Sequence, residues 1–172
     1  MLHALLASLA LAAVMTAGDW MWAVFEVRHT ITAGLIHGAL MCLALGAAIG
    51  LREHRVAAGT IAGPLVGVLS AALFYLLAPA LRMMAMLPAW MFFWVCFAGL
   101  QAFLRRKHNV AAAIATGLVA AVLSGLAFYS ISGIWTRHNP GGPNYAWNFA
   151  AWTFAFFPGF AALFWTPRAS QV

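Results

Sequence analysis

Acidic residues are nearly missing from this chain: three Asp and Glu in 172 residues, against nine Lys and Arg, with charged residues totalling 7%. A soluble domain carries about 25% charged residues. So small a number cannot cover a water-facing surface, which excludes an ordinary soluble globular protein. The imbalance gives a formal charge of +6 and a pI near 10.4, but no basic stripe interleaved with polar residues tracks a phosphate backbone, so nucleic acid is not a partner. Cysteine is also scarce. Cys42 and Cys96 both lie inside apolar runs, with no CxxC spacing and no adjacent base, and read as small buried hydrophobes rather than a redox pair. HExxH, Walker A, GxSxG and clustered Cys/His spacings are all missing. No catalytic residue and no metal ligand set is therefore named. Only His37 lies deep in an apolar run, while His3, His54 and His108 fall near run ends. A haem held by two histidines at matched depth is therefore disfavoured, and the sequence names no cofactor.

Apolar sequence fills the space left by charge. Hydrophobic residues make up 65% of the chain and the mean hydropathy is +0.92. They form six runs, at 2–25, 30–51, 56–81, 83–104, 110–135 and 146–165, each near the ~20 residues that cross ~30 Å of hydrocarbon as a helix. Lipid offers peptide groups no partner, so each run must be helical. The fold class is all-α: a polytopic membrane bundle of six transmembrane helices, one domain over 1–172. The first run resembles a signal peptide, but no Lys or Arg precedes its apolar core, and it is expected to be retained as a span.

The connections are short, so successive helices are expected to be antiparallel neighbours. Arg52, Arg55, Arg105, Arg106, Lys107 and Arg168 fall on one side, and Arg28, Arg82 and Arg137 on the other. Six basic residues against three predict both termini in the cytoplasm, in a membrane read as the bacterial cytoplasmic membrane. Trp20, Trp22, Trp90, Trp135 and Trp147 cluster near the opposite, outer ends, where an amphipathic ring prefers the interface.

The chain also writes one stretch twice. A shift of 54 residues lays 34–82 on 88–136 with 14 identities and no gap, including Cys42 on Cys96, Arg52 on Arg106, His54 on His108, Gly63 on Gly117, Ser70 on Ser124 and Tyr75 on Tyr129. The unit is helix, basic turn, helix. An even number of spans per unit keeps its orientation, so the copies are expected to be related by an axis along the membrane normal. Ala57, Gly59, Gly63, Gly67 and Ala71 in the third run, and Ala111, Ala115, Gly117, Ala121 and Gly125 in the fifth, read as close-packing residues.

Polar groups inside spans are the default functional candidates. Asp19 lies nine residues before Arg28 and His37 nine after it, which puts them at matching depth, roughly 10–13 Å below the turn. Glu26 and His29 extend this into a column reaching the outer surface, and Arg82 interrupts the apolar sequence between the third and fourth runs. Asp19, Glu26, His29, His37 and Arg82 form the candidate ligand or proton site. An imidazole beside a carboxylate can be poised near neutral pH. A structural polar pair pinning the first two helices is the plainer alternative. The connection 136–145 reads as a lid or a plain connector, and Asn144 and Asn148 can hydrogen-bond at the mouth of the sixth run. Aromatic residues are dense in the fourth and sixth runs. Trp20, Trp90, Trp94, Trp147 and Trp152 are candidates for an aromatic pocket that takes a flat hydrophobic ligand, with ordinary packing as the alternative.

Three functions fit these features. The first is a small transporter, channel or ligand-binding protein with a polar site near the outer side. The second is an accessory subunit of a larger membrane complex that binds a pigment, quinone or lipid. The third is an intramembrane lipid-modifying enzyme using Asp19 and His37 for proton transfer, disfavoured because no second acid–base pair is evident. The expected partners are membrane lipid, a small hydrophobic or ionic ligand, and further copies or other subunits.

Overall fold

Apolar runs that satisfy their own peptide groups fold as helices, and six are observed: α1 Leu2–Val24, α2 Ile31–Arg52, α3 Val56–Leu81, α4 Met86–Leu104, α5 Val110–Ile131 and α6 Tyr145–Phe164. The computed structural model describes residues 1–24, 31–106, 109–131 and 144–165. All six helices are long and apolar enough to cross a membrane, and they fit an integral membrane protein. Their boundaries agree with the expected runs to within a few residues, except that the stretch expected to complete the fifth run, 132–135, lies outside the described residues. The outer surface is apolar, with Leu76 and Phe103 each more than 70% exposed.

Helix ends follow local chemistry. Asn144 caps α6 by accepting from the Trp147 N–H at 3.1 Å, and Asn109 accepts from the Ala112 N–H at 2.9 Å ahead of α5. After α2, His54 takes a left-handed backbone with φ 55°. The His54 and Arg55 N–H groups then donate to the carbonyls of Leu51 and Gly50 at 3.3 and 2.7 Å, the pairing that usually places glycine at the left-handed position. Arg106 ends α4 in the same left-handed region, with φ 57°. Between α3 and α4 the chain makes a single 3-10 turn, Arg82–Ala85. Pro64, Pro79 and Pro158 sit inside α3 and α6, which run through them without a break.

Sequential helices pack as neighbours around the bundle, and α1 meets α6 far more extensively than it meets α2. The tightest contact joins α2 to α3. Gly38, Cys42, Gly46 and Gly50 on α2 face Gly59, Gly63 and Gly67 on α3, so the two backbones touch. A Cβ at Gly46 would lie 2.8 Å from Gly63 Cα, and one at Gly38 would lie 2.9 Å from the Gly67 carbonyl oxygen. Packing of this kind joins helices in lipid, where hydrophobic exclusion is absent.

The two repeat units both fold as helix pairs, but they pack differently. Gly117, the repeat partner of Gly63, meets the α4 backbone at Trp94 and Val95, beside Cys96. Elsewhere the glycines of α2 have become Phe92, Leu100 and Leu104 on α4, and Gly125 only reaches the Trp90 ring at 3.8 Å. α4 instead supplies the centre of the bundle. Phe93, Trp94 and Phe97 on α4 meet Phe156 and Phe160 on α6, all five essentially buried. Trp94 lies edge-on to Phe160 at 5.9 Å, and its ring packs directly on Gly159, where a side chain would collide. The buried hydroxyl of Ser124 ties α5 to α6 by donating to the Ala155 carbonyl. Ser70, at the matching position of the repeat, is also buried, and its hydroxyl has no hydrogen-bond partner among the described residues.

Candidate functional site

Two polar groups stand at opposite ends of α6. Asn148 and Phe164 mark them, 16 residues apart, or about 24 Å along a helix. That separation approaches the thickness of bilayer hydrocarbon.

The first group centres on Asp19. The packing face of α1 is made of Ala4, Ser8, Leu11, Ala12 and Met15, all buried. Small side chains at helical spacing let α1 approach α6 closely. Asp19 continues this face one turn further. Its Oδ2 accepts from Trp152 Nε1 at 3.1 Å and from Asn148 Nδ2 at 3.3 Å. Both donors are neutral, and no Lys, Arg or His forms an ion pair with this carboxylate among the described residues. One turn deeper on α1, Thr16 keeps a buried hydroxyl without a partner.

The sequence-derived candidates are distributed as follows. Asp19 and His37 do reach matching depth: the His37 ring lies against Gly18, with Cε1 2.7 Å from where a Cβ would stand. The carboxylate itself turns to α6, however, and both of its hydrogen bonds go to Trp152 and Asn148 rather than to the imidazole. Among the described residues no hydrogen bond joins the Asp19 carboxylate to the His37 imidazole. Glu26 and His29 lie outside the described residues. Arg82 is exposed at the start of the 3-10 turn, with φ 52° and ψ −131°; its backbone N–H donates to the Ala78 carbonyl, and its side chain makes no hydrogen bond or ion pair among the described residues. The five candidate tryptophans separate into two sets. Trp94 and Trp152 are buried and Trp90 is half-buried, in one continuous aromatic core, while Trp20 and Trp147 are 48% and 54% exposed on the outside. Trp152 stacks on Phe156 at 5.5 Å and on Phe128 at 5.7 Å, so its ring faces are used in packing and its N–H serves Asp19. A shallow apolar depression with a cavity volume of only about 10 Å³ lies beside this core, lined by Met86, Leu87, Trp90, Gly125 and Phe128. The indole N–H of Trp90 has no hydrogen-bond partner among the described residues.

The second group surrounds Glu53, which the sequence reading passed over as part of a basic turn. Arg105 donates to its Oε1 through Nη2 at 2.7 Å and Nε at 2.8 Å, and Gln101 Nε2 donates at 3.1 Å. Arg52 approaches the same oxygen at 3.7 Å through Nε. Its Nη2 donates to the Phe164 carbonyl at 3.1 Å, and its guanidinium sits 4.7 Å from the centre of the Phe164 ring. Burial alone would push the Glu53 carboxyl up. The hydrogen bonds from Arg105 and Gln101, with the charges of Arg105 and Arg52, outweigh it and hold the group below its ordinary value. The cluster joins the ends of α2, α4 and α6. The available signals were an amide, Gln101, inside an apolar run and a single acid, Glu53, in a basic turn.

No family model, no curated protein and no solved structure matches this chain.

Proposed function

We propose that this is a small transport or ligand-binding membrane protein whose working group is the Asp19 carboxylate. One observation carries the reading: a half-buried acid inside an apolar span, oriented by two neutral donors of α6 and lacking a countercharge among the described residues. A carboxylate in that setting is expensive to keep ionised, and a proton or a cationic ligand relieves the expense. The filled centre of the bundle favours a local site over an open channel, because Phe93, Trp94, Phe97, Phe156 and Phe160 occupy the axis. In the proposed orientation the Asp19 group faces outward, following the excess of basic residues at the Glu53 end. Proteoliposomes carrying an internal pH dye test the reading. Proton movement that Asp19→Asn abolishes is expected. The same flux in wild type and variant, with both folded, would refute it.

A further inference from the structure

We infer that the Glu53 end of the bundle binds anionic phospholipid, with the lipid phosphate held by the free guanidinium groups of Arg55 and Arg106. This end lies across the length of α6 from Asp19, and the inference is independent of the function proposed for that acid.

Charge selects an anion. Among the described residues four arginines stand at this end, and they are of two kinds. Arg52 and Arg105 are spent inside the protein: Arg105 donates twice to Glu53 Oε1, and Arg52 donates to the Phe164 carbonyl. Arg55 and Arg106 are exposed, and their side chains make no hydrogen bond or ion pair among the described residues. Arg106 is the repeat counterpart of Arg52, so one copy of the turn keeps its arginine engaged and the other leaves it free. Glu53 is the sole described acid here, and its Oε1 is already surrounded. Two positive charges stand without an internal countercharge, and an anion gains by meeting them.

Position selects a lipid. The apolar spans of α2 and α4 end at Arg52 and Leu104. Arg55 and Arg106 follow within three residues, at the level of the headgroups, where anionic phosphates attract each basic side chain. Just inside them Leu51 and Phe103 are largely exposed, a surface that acyl chains cover. The backbone holds both positions. The Arg55 N–H donates to the Gly50 carbonyl at 2.7 Å and the Arg106 N–H to the Phe103 carbonyl at 3.0 Å. The bond from Arg105 to Glu53, 2.7 Å long, ties the turn that carries Arg55 to the helix end that carries Arg106. The two free arginines therefore belong to neighbouring turns in one layer, and each offers the fork that suits a phosphate. Arg82, exposed at the other end, has no second free arginine beside it among the described residues.

Native mass spectrometry of the full-length protein in neutral detergent, titrated with phosphatidylglycerol or phosphatidylcholine, provides the test. The first phosphatidylglycerol should bind about ten-fold or more tightly than the first phosphatidylcholine. Arg55→Gln and Arg106→Gln should each weaken phosphatidylglycerol about five-fold, the scale of one basic residue at a lipid surface, and leave phosphatidylcholine unchanged. The double variant should bind the two lipids alike. Arg55→Lys and Arg106→Lys, which keep the charge, should retain most of the preference. Neither side chain is bonded within the described protein, so folding is preserved, and circular dichroism checks this. Arg82→Gln is the control and should change the preference less than two-fold. Equal binding of the two lipids by wild type overturns the inference, as does a loss in Arg82→Gln as large as in Arg55→Gln or Arg106→Gln. Displacement of the lipid by millimolar inorganic phosphate would mark a site for a free anion and would overturn it too.

Discussion

Gly46→Ala is a test of how close α2 and α3 stand. The added Cβ would lie 2.8 Å from Gly63 Cα and closer still to the Gly59 carbonyl oxygen. Carbon atoms pack comfortably at roughly 3.5–4.0 Å, so the seam must open by about 1 Å. Overpacking costs about 1–3 kcal/mol. Because the obstacle is backbone, which cannot rotate away, the upper end applies. Alanine recovers about 1 kcal/mol of helix propensity over glycine, leaving a net loss of about 2 kcal/mol. Gly99→Ala is the internal control. Nothing lies within 4 Å of its added Cβ, so only the propensity gain of about 1 kcal/mol remains. The two variants should differ by about 3 kcal/mol, near a hundred-fold in the folding equilibrium. Cys42 reports the opening directly, because it is buried in this seam. In a Cys96→Ala background, maleimide labelling of Cys42 should accelerate in Gly46→Ala and stay slow in Gly99→Ala, and denaturation midpoints in detergent should move in opposite directions. Equal labelling rates and equal midpoints would refute backbone contact between these helices.

Two further perturbations separate structure from function. Glu53→Gln leaves Arg52 and Arg105 sharing a site without an anion. With side-chain exposures of 11–20%, the cluster lies between a solvated and a buried pair, so a loss of about 2 kcal/mol is expected; a double variant with Arg105→Gln should lose less than the two singles added. Glu53 titrates below its ordinary 4.5 in the fold, so its contribution is fully present above that pH and disappears as pH falls through the lowered value. A wild-type stability flat down to strongly acid pH, or the same acid slope in Glu53→Gln, would contradict this. Ser124→Ala should destabilise by about 1 kcal/mol through loss of its bond to the Ala155 carbonyl, whereas Ser70→Ala should be neutral or stabilising, because that hydroxyl is buried unpaired. Equal melting shifts in the two variants would erase the distinction between these repeat-related serines.

What could be read from the sequence depended on how local the cause was. The six helices follow from apolar length, which each segment carries by itself. Asn144 was readable at the mouth of α6 because capping is a matter of three or four residues. Asp19 stood out because lipid makes any acid in a span conspicuous. Its partner was a different problem. Chain neighbourhood pointed to α2 and His37, and depth counting did place His37 against Gly18. The choice of partner, however, is made by packing. The small face running from Ala4 to Met15 seats α1 on α6, and this carries Asp19 round to donors 129 and 133 residues away. Glu53 escaped for the same reason. Its value lies in Gln101 and Arg105, 48 and 52 residues on, and Arg52 beside it reaches Phe164 across 112 residues. The repeat gives warning of both outcomes. Identity at Gly63 and Gly117 did not produce identical seams, because the facing glycines at 38, 46 and 50 had become Phe92, Leu100 and Leu104. With Phe92, Leu100 and Leu104 in place of those glycines, α4 still meets α5 at Gly117, while its Phe93, Trp94 and Phe97 build the core. Asp19 is held by α1 and α6, which lie outside the repeated stretch.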